Sequence, residues 1–336
     1  MRIMVFDVPA ESGGALTILK QYYDRAVEDK NNEWIFIIST PYLKETKNVK
    51  IIRYPWIKKS WLHRIFFDNF IAHKLVKKNN IDKILSLQNV IIPHIKVYQT
   101  VYVHNAIPFS AYKFRFNENK LLWIYQNIIG RSIFKSIKEA NKVIVQTQWM
   151  KNKCIDKIGK NSDDIEVITP QIDIEIKNYF IEAKETLTTF FYPASAVEFK
   201  NHKIIVDACL ELKKKNINNY NILFTLKGNE NKSIEELYRC VKENKLPIEF
   251  IGYISKEKVM DFYSKSILLF PSYLETVGLP LIEAKLHNTY IIASDCEFSH
   301  EILDGYDKVY YFDYTNYNTL YMLLIKFIKK SNEFYS

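Results

Sequence analysis

The chain has 336 residues, 48% of them hydrophobic and 25% charged, with a formal net charge of +9. That composition excludes a disordered or low-complexity protein and suits two globular domains of ordinary size. The basic surplus suits nucleic acid, an anionic membrane face or a phosphorylated ligand without choosing among them. The four cysteines, Cys154, Cys209, Cys240 and Cys296, are isolated, which excludes a Cys-x-x-Cys zinc ribbon and points to reduced thiols in a cytosolic setting. No apolar leader with a cleavage site opens the sequence and no run of about 18 apolar residues occurs, so a spanning helix is not expected.

In chain order, "RIMVFDV" reads as a short apolar strand. "GGALTILKQYYDRAVEDK" follows at helical spacing, with Leu16, Leu19, Tyr23 and Ala26 on one face. "EWIFIIST", "VKIIRY", "KILSL", "VYQTVYVHN" and "KVIVQT" read as further buried strands, with helical patterns near 60–79, 118–139 and 148–158. Pro170 interrupts the pattern within "VITPQIDIEIKNYF", which places a domain boundary near residue 172. From about 188 a second train begins: strands "TTFFYPA", "NILFTLKG", "PIEFIGY", "ILLFPS" and "YIIAS", alternating with helices of which "NHKIIVDACLELKKK" is the first. Such alternation predicts two α/β, doubly wound, Rossmann-like domains, 1–172 and 173–336, each with a mainly parallel sheet and a ligand edge at its strands' carboxyl ends. A cleft is expected between those ends. The tail reads as a final helix over about 314–332, whose Leu320, Leu323, Leu324 and Phe327 need a cover, expected on the N-terminal domain.

The segment "PSYLETVGLPLIEAKLHN" at 271–288 carries the densest chemistry, with Glu275 and Glu283 eight positions apart around a glycine and a proline. Pro280 suits the first turn of a helix, where a missing N–H costs nothing, and Gly278 allows a close backbone approach. The N–H groups of Val277, Gly278 and Leu279 then point out of the helix start, a seat for a phosphate. Glu275 and Glu283 can each accept hydrogen bonds from hydroxyls. The plain alternative is that glutamates at a helix start do no more than favour its dipole.

"FPSYLETVGLPLIEA" resembles the Glu-x7-Glu signature of glycosyltransferase family 4, retaining enzymes of the GT-B fold. Pro271, Ser272, Glu275, Gly278, Leu279, Pro280, Glu283 and Ala284 keep the usual form, while Thr276 and Val277 depart from it. The resemblance extends in order through "ESGGALTI", "KVIVQTQWMKNKC", "FFYPASAVEFKNHKIIVDA", "LFTLKGNEN" and "IEFIGYISKEKVMDFYSKS". It implies an N-terminal acceptor domain and a C-terminal nucleotide-sugar domain. It implies His104, Lys200 and Glu275 as the catalytic set. It implies donor contacts from Gly13, Gly14, Lys200, Gly228, Tyr253, Ile254, Thr276, Val277, Gly278, Leu279 and Glu283.

Several of these residues also have readings of their own. Gly13 and Gly14 follow the first strand and form either a backbone seat for phosphate or an ordinary tight turn; their spacing is not the dinucleotide Gly-x-Gly-x-x-Gly. Lys200 precedes a helix and can bring a point charge to a diphosphate, or be a surface lysine. The arginine usual in the family five residues earlier is here Ser195. His104 ends an apolar strand; the resemblance makes it a contact to the sugar or a donor to the transition state, not a nucleophile. Gly228 and the Tyr253–Ile254 backbone fall, by the same resemblance, near nucleobase and ribose.

Residues 50–80 interleave Lys50, Arg53, Lys58, Lys59, Arg64, Lys74, Lys77 and Lys78 with Trp56, Trp61, Phe66 and Phe67. The segment suits an anionic membrane surface or a lipid-linked acceptor, single-stranded nucleic acid, or simply a solvated helix with one core face. No metal-ligand spacing emerges. The expectation is therefore a cytoplasmic enzyme, peripheral at the membrane's inner face, that needs no metal or other cofactor. It moves a sugar from a UDP-, GDP- or dTDP-sugar to a saccharide or lipid-linked saccharide, in bacterial surface polysaccharide synthesis, with no specific nucleic acid. The alternatives are a GT-B epimerase or phosphorylase, or a basic nucleic-acid-binding protein.

Overall fold

A computed structural model of the chain describes residues 1–11, 13–170 and 174–333. It divides into two compact units, Met1–Pro170 and Gln171–Ser336; the boundary expected at 172 lies outside the described residues.

The N-terminal unit is built on β1 (Arg2–Asp7), β2 (Glu33–Ile38), β3 (Val49–Arg53), β4 (Lys83–Ser86), β5 (Tyr98–Val103), β6 (Lys142–Val145) and β7 (Ile165–Val167). They form one parallel sheet in the order β3-β2-β1-β4-β5-β6-β7. The apolar runs are continuous because both faces are covered. Successive side chains alternate between two cores, as the strand pleat dictates: Met4, Phe6, Ile35 and Ile37 enter one, Val5, Phe36 and Ile38 the other. The helix Gly13–Glu28 covers the second core with Ile18, Leu19 and Ala26. After the largely exposed helix Trp61–Phe66, a π-helical turn Phe67–Ile71 and the helix Ala72–Lys78 cover the first core, through Phe67, Ala72, Leu75 and Val76.

The C-terminal unit repeats the plan with β8 (Thr189–Tyr192), β9 (Asn221–Phe224), β10 (Ile248–Phe250), β11 (Ile267–Phe270), β12 (Ile291–Ser294) and β13 (Val309–Phe312), parallel in the order β10-β9-β8-β11-β12-β13. β7 and β13 were not among the expected strands: β7 has three residues, and β13 is a half-exposed aromatic run at the sheet's edge. The final helix is Tyr317–Asn332. Its Leu320, Leu324, Phe327 and Ile328 are at most 4% exposed and join the C-terminal unit's own core, so the cover expected on the N-terminal domain is supplied within this unit. In each sheet the chain winds outward on one side and then returns to the other, between β1 and β4 and between β8 and β11. Ligands of open parallel sheets bind at such reversals, beyond the strands' carboxyl ends.

Candidate active site

The β8–β11 reversal puts two loops side by side. The loop leaving β8 closes in a 3-10 turn, Glu198–Lys200, and turns into the helix His202–Lys214 through Asn201, whose φ of 55° is left-handed. Tyr192 at the end of β8 donates its hydroxyl to the Lys200 carbonyl at 2.7 Å. The loop leaving β11 is stitched to it by Tyr273 N–H to the Phe199 carbonyl at 3.1 Å. Across this seam the Lys200 ammonium hydrogen-bonds the Glu275 carboxylate, both side chains being 16–17% exposed. Ser272 donates to the same carboxylate at 2.7 Å.

Lys200 and Glu275 are 75 positions apart. Their expected tasks differ, phosphate for one and hydroxyl for the other, and the fold makes them partners. A half-buried ammonium needs a counter-charge. With three donor hydrogens, it can keep Glu275 and still meet a phosphate oxygen.

Beyond Glu275 the chain enters the helix Leu279–Leu286 through Gly278 at φ 77°. An added Cβ there would lie 3.2 Å from Leu281 and 3.3 Å from Phe270, so both torsion and space call for glycine. Leu281 N–H is spent on the Gly278 carbonyl. Those of Val277, Gly278 and Leu279 make no hydrogen bond among the described residues, which leaves a cluster of donors at a helix start. Glu283 lies in the same helix, and the fully buried Tyr263 donates to its Oε2 at 3.0 Å. Burial raises the Glu283 pKa, against the pull of that hydroxyl and of Lys256.

Gly228 follows β9, and its N–H donates to Glu230 Oε2 at 3.0 Å. Burial raises the Glu230 pKa, but the N–H groups of Lys227, Glu230, Gly228 and Asn229 outweigh it and hold the pKa low. The glycine is needed for packing, since a Cβ would stand 2.4 Å from the Tyr238 ring at φ 95°. Tyr253 presents an 88% exposed ring, while Ile254 packs against the core. Ser195 is exposed.

His104, Gly13 and Gly14 belong to the N-terminal unit. Gly13, at φ 59°, opens its helix, and a Cβ at either glycine would meet nothing within 4 Å. His104 follows β5 and is gripped by Asn89: Asn89 Nδ2 reaches Nε2 at 3.2 Å, and the His104 N–H reaches Asn89 Oδ1 at 2.7 Å. The amide can only donate to Nε2, so the ring proton is assigned to Nδ1. Nδ1 is buried and has no hydrogen-bond partner among the described residues. Burial pushes the imidazole pKa down to about 4, so the ring is neutral at pH 7. That suits a hydrogen-bond donor and not a cation.

Sequence reasoning missed four supports: Ser272 as the anchor of Glu275, Tyr263 as the clamp on Glu283, Glu230 on the Gly228 amide, and Asn89 on His104. Ser272, Glu230 and Tyr263 stood in quoted segments without being singled out, and Glu230 lies only two residues from Gly228; Tyr263 and Asn89 reach their partners through tertiary contacts that leave no local signal. Among the described residues no cluster of His, Cys, Asp and Glu is arranged to hold a metal.

Residues 173–335 match the family model described as glycosyl transferases group 1. O-antigen chain mannosyltransferase RfbU of Salmonella typhimurium is 27% identical over 207 residues, 61% of this chain and 54% of that protein, so the matched stretch spans about half the length of the curated relative. Among solved structures, sucrose-phosphate synthase of Thermosynechococcus elongatus superposes at TM-score 0.73 with 13% identity, covering 98% of this chain and 90% of that one. HepE of Anabaena, in complex with UDP and glucose, superposes at 0.67 with 13% identity, covering 99% and 91%. At such identities the likeness is one of fold, the GT-B fold.

Proposed function

Residues 173–335 match the model of glycosyl transferases group 1, and from that match we propose that the chain is a retaining glycosyltransferase using a nucleotide-sugar donor in bacterial surface polysaccharide synthesis. The observation that carries the reading is the Lys200–Glu275 pair in front of the free amides of Val277, Gly278 and Leu279, at the β8–β11 reversal. When the bond between the anomeric carbon and the phosphate oxygen breaks, negative charge grows on the leaving diphosphate. The Lys200 ammonium and the helix-start amides are aimed at such a charge before it forms. The acceptor hydroxyl forms the new bond on the face that the phosphate leaves, and its proton passes to a departing phosphate oxygen. Glu283, with one oxygen held by Tyr263, accepts from the donor's hydroxyls through the other. The charge is carried by the chain's own cation and dipoles, so no metal is required in this scheme.

The donor's base is one of uracil, guanine or thymine; the UDP held by HepE favours UDP. A thermal-shift panel of UDP, GDP and dTDP, with and without their sugars, tests the reading. One of them should raise the melting temperature of wild type and lose most of that effect in Lys200→Met. A flat panel would overturn the proposal.

The acceptor side is proposed to work at an anionic membrane surface. Trp61, Leu62, Ile65, Phe66 and Phe70 are 37–72% exposed along one helix face, and the exposed Lys59, Lys74, Lys77 and Lys78 stand at its two ends. Aromatic and aliphatic wedges between lysines are the pattern of an interfacial helix. No helix of the described residues is long and apolar enough to cross a membrane.

A further inference from the structure

Eight buried side-chain atoms lack a hydrogen-bond partner among the described residues, and five belong to the N-terminal unit: Asp7 Oδ1, Ser39 Oγ, Asp68 Oδ1, Gln88 Nε2 and His104 Nδ1. Four of those residues sit where parallel strands end. Asp7 closes β1, Ser39 follows β2, Gln88 lies just past β4 and His104 just past β5. Asp68 belongs to the π-helical turn. Native interiors seldom leave such groups single, so a concentration of them at one sheet edge needs a cause.

At the β1–β4 reversal three of them converge. Val8 N–H donates to Gln88 Oε1 at 3.3 Å, which fixes the amide and leaves Nε2 unused. That amide lies close enough to the Asp68 carboxylate to lower its pKa, which burial raises, yet neither Nε2 nor Oδ1 completes a hydrogen bond. Arg64 Nε binds Asp68 Oδ2 at 2.7 Å. Asp7, 1% exposed, feels the charges of Arg64 and Lys58 but pairs with neither. Gln88 is 4% exposed, and the side chains that stand between the group and solvent include Arg64 and Asp68, which keep 20% and 17% exposure.

The mixture of valences selects the occupant. A phosphate is an anion that offers mainly acceptors and would face two carboxyl groups. A metal ion would be met by an amide N–H. Sugar hydroxyls donate and accept from the same atom, and adjacent ones can take a carboxylate oxygen and an amide N–H together. We propose that Asp7, Gln88 and Asp68 form a subsite for one ring of the saccharide acceptor, entered by swinging Arg64 aside. The proposal rests on the transferase reading and adds to it where the acceptor is held.

The test uses the full chain and n-octyl glycosides of glucose, galactose and mannose, whose binding is followed by ligand-observed NMR. UDP, GDP and dTDP thermal shifts are recorded on the same samples. At least one glycoside should bind wild type, and its dissociation constant should rise about ten-fold in the near-isosteric Gln88→Met, which loses one hydrogen bond to the ligand as well as the long Val8 N–H contact. Asp7→Asn should also weaken it, and both variants should keep the nucleotide shift. The subsite is refuted if no glycoside binds while a nucleotide does. It is refuted equally if Gln88→Met binds every glycoside as wild type does, which would leave Gln88 and Asp68 a purely structural pair. A flat nucleotide panel would instead bring down the transferase reading itself, so the two failures are separable.

Discussion

Around the β8–β11 reversal of the C-terminal unit, the functional side chains hold one another: Lys200 with Glu275, Glu275 with Ser272, Glu283 with Tyr263. Around the β1–β4 reversal of the N-terminal unit, Asp7, Gln88 and His104 each keep a buried atom without a hydrogen-bond partner among the described residues. The two sheets share a winding plan, so the difference is not one of architecture. Paired groups are pre-aimed and can stabilise a developing charge without reorganising. Unpaired buried groups carry a standing cost that a ligand or water removes. The contrast separates a half built for the chemistry of the leaving group from a half left incomplete for a substrate.

The largest expected effect tests the incomplete half. Burial raises the Asp7 pKa from 3.8 to about 7, with Ala10 N–H, Arg64 and Lys58 opposing. The folded state therefore binds more protons than the unfolded one. The stability Asp7 allows is fully present below about pH 4 and is lost as pH rises through 7. At 1.36 kcal/mol per unit, the loss by pH 8 is at most about 4 kcal/mol. Asp7→Asn should remove that slope and melt higher than wild type at pH 8, but not at pH 5. His104 and His202, depressed by burial to about 4 and about 3, work in the opposite direction. Their contribution is present above pH 6.5 and is lost as pH falls toward those values. Denaturant melts across pH 4–8 measure both; an unchanged slope in the Asp7 variant would mean that the carboxylate is paired in solution, and the contrast between the halves would weaken.

Next in size is the paired half. Lys200→Met should lower transfer, or the slow hydrolysis of the nucleotide sugar, about 10²-fold or more, as loss of one pre-aimed electrostatic contact does. It also leaves Glu275 without its counter-charge. Glu275→Gln keeps the Ser272 hydrogen bond and should slow turnover while sparing nucleotide affinity. Equal losses of affinity in both variants would show the pair to be a scaffold element.

Much of this site could be read from the sequence because its parts are local. Glu275, Gly278, Pro280 and Glu283 lie within one loop and one helix start, where glycine and proline have fixed physical meanings. The parallel sheets followed from apolar runs alternating with amphipathic segments. What could not be read was neighbourhood. Nothing in the local pattern says that β11 lies beside β8, so the partnership of Lys200 and Glu275 had no visible basis. Nothing in the sequence marks Asp7 or Gln88, since an unpaired valence is a property of surroundings. The packing need for Gly228 was hidden for the same reason: a Cβ there would meet the ring of Tyr238, ten residues on.

Glu283→Ala gives a smaller effect, about ten-fold weaker nucleotide binding. Removing the carboxylate also strands the buried Tyr263 hydroxyl, at about 1–3 kcal/mol of stability. Glu283→Gln keeps an acceptor for Tyr263 and should recover most of the stability but little of the affinity. If affinity returns with stability, Glu283 acts only by holding its helix in place.

The smallest effect asks whether the N-terminal unit's incompleteness extends to its outer surface. The helical segment that turns Phe67 and Asp68 toward the sheet turns Phe66 and Phe70 outward, with ring centroids 5.3 Å apart. Phe70 is 56% exposed, so Phe70→Ser should change folding stability by no more than about 0.5 kcal/mol. Partial immersion of one ring in a bilayer interface is worth about 1 kcal/mol, less than full burial, so partitioning to vesicles should fall about five-fold. The lysines make the surface charge matter: wild type should sediment with vesicles containing anionic phosphatidylglycerol and be released as salt rises, because screening shortens the reach of each charge. Pure phosphatidylcholine should retain little. Equal binding to both lipids, or a Phe70→Ser chain that partitions like wild type, would mean that the outer face carries no membrane contact. The unpaired groups of the N-terminal unit would then be confined to its sheet edge.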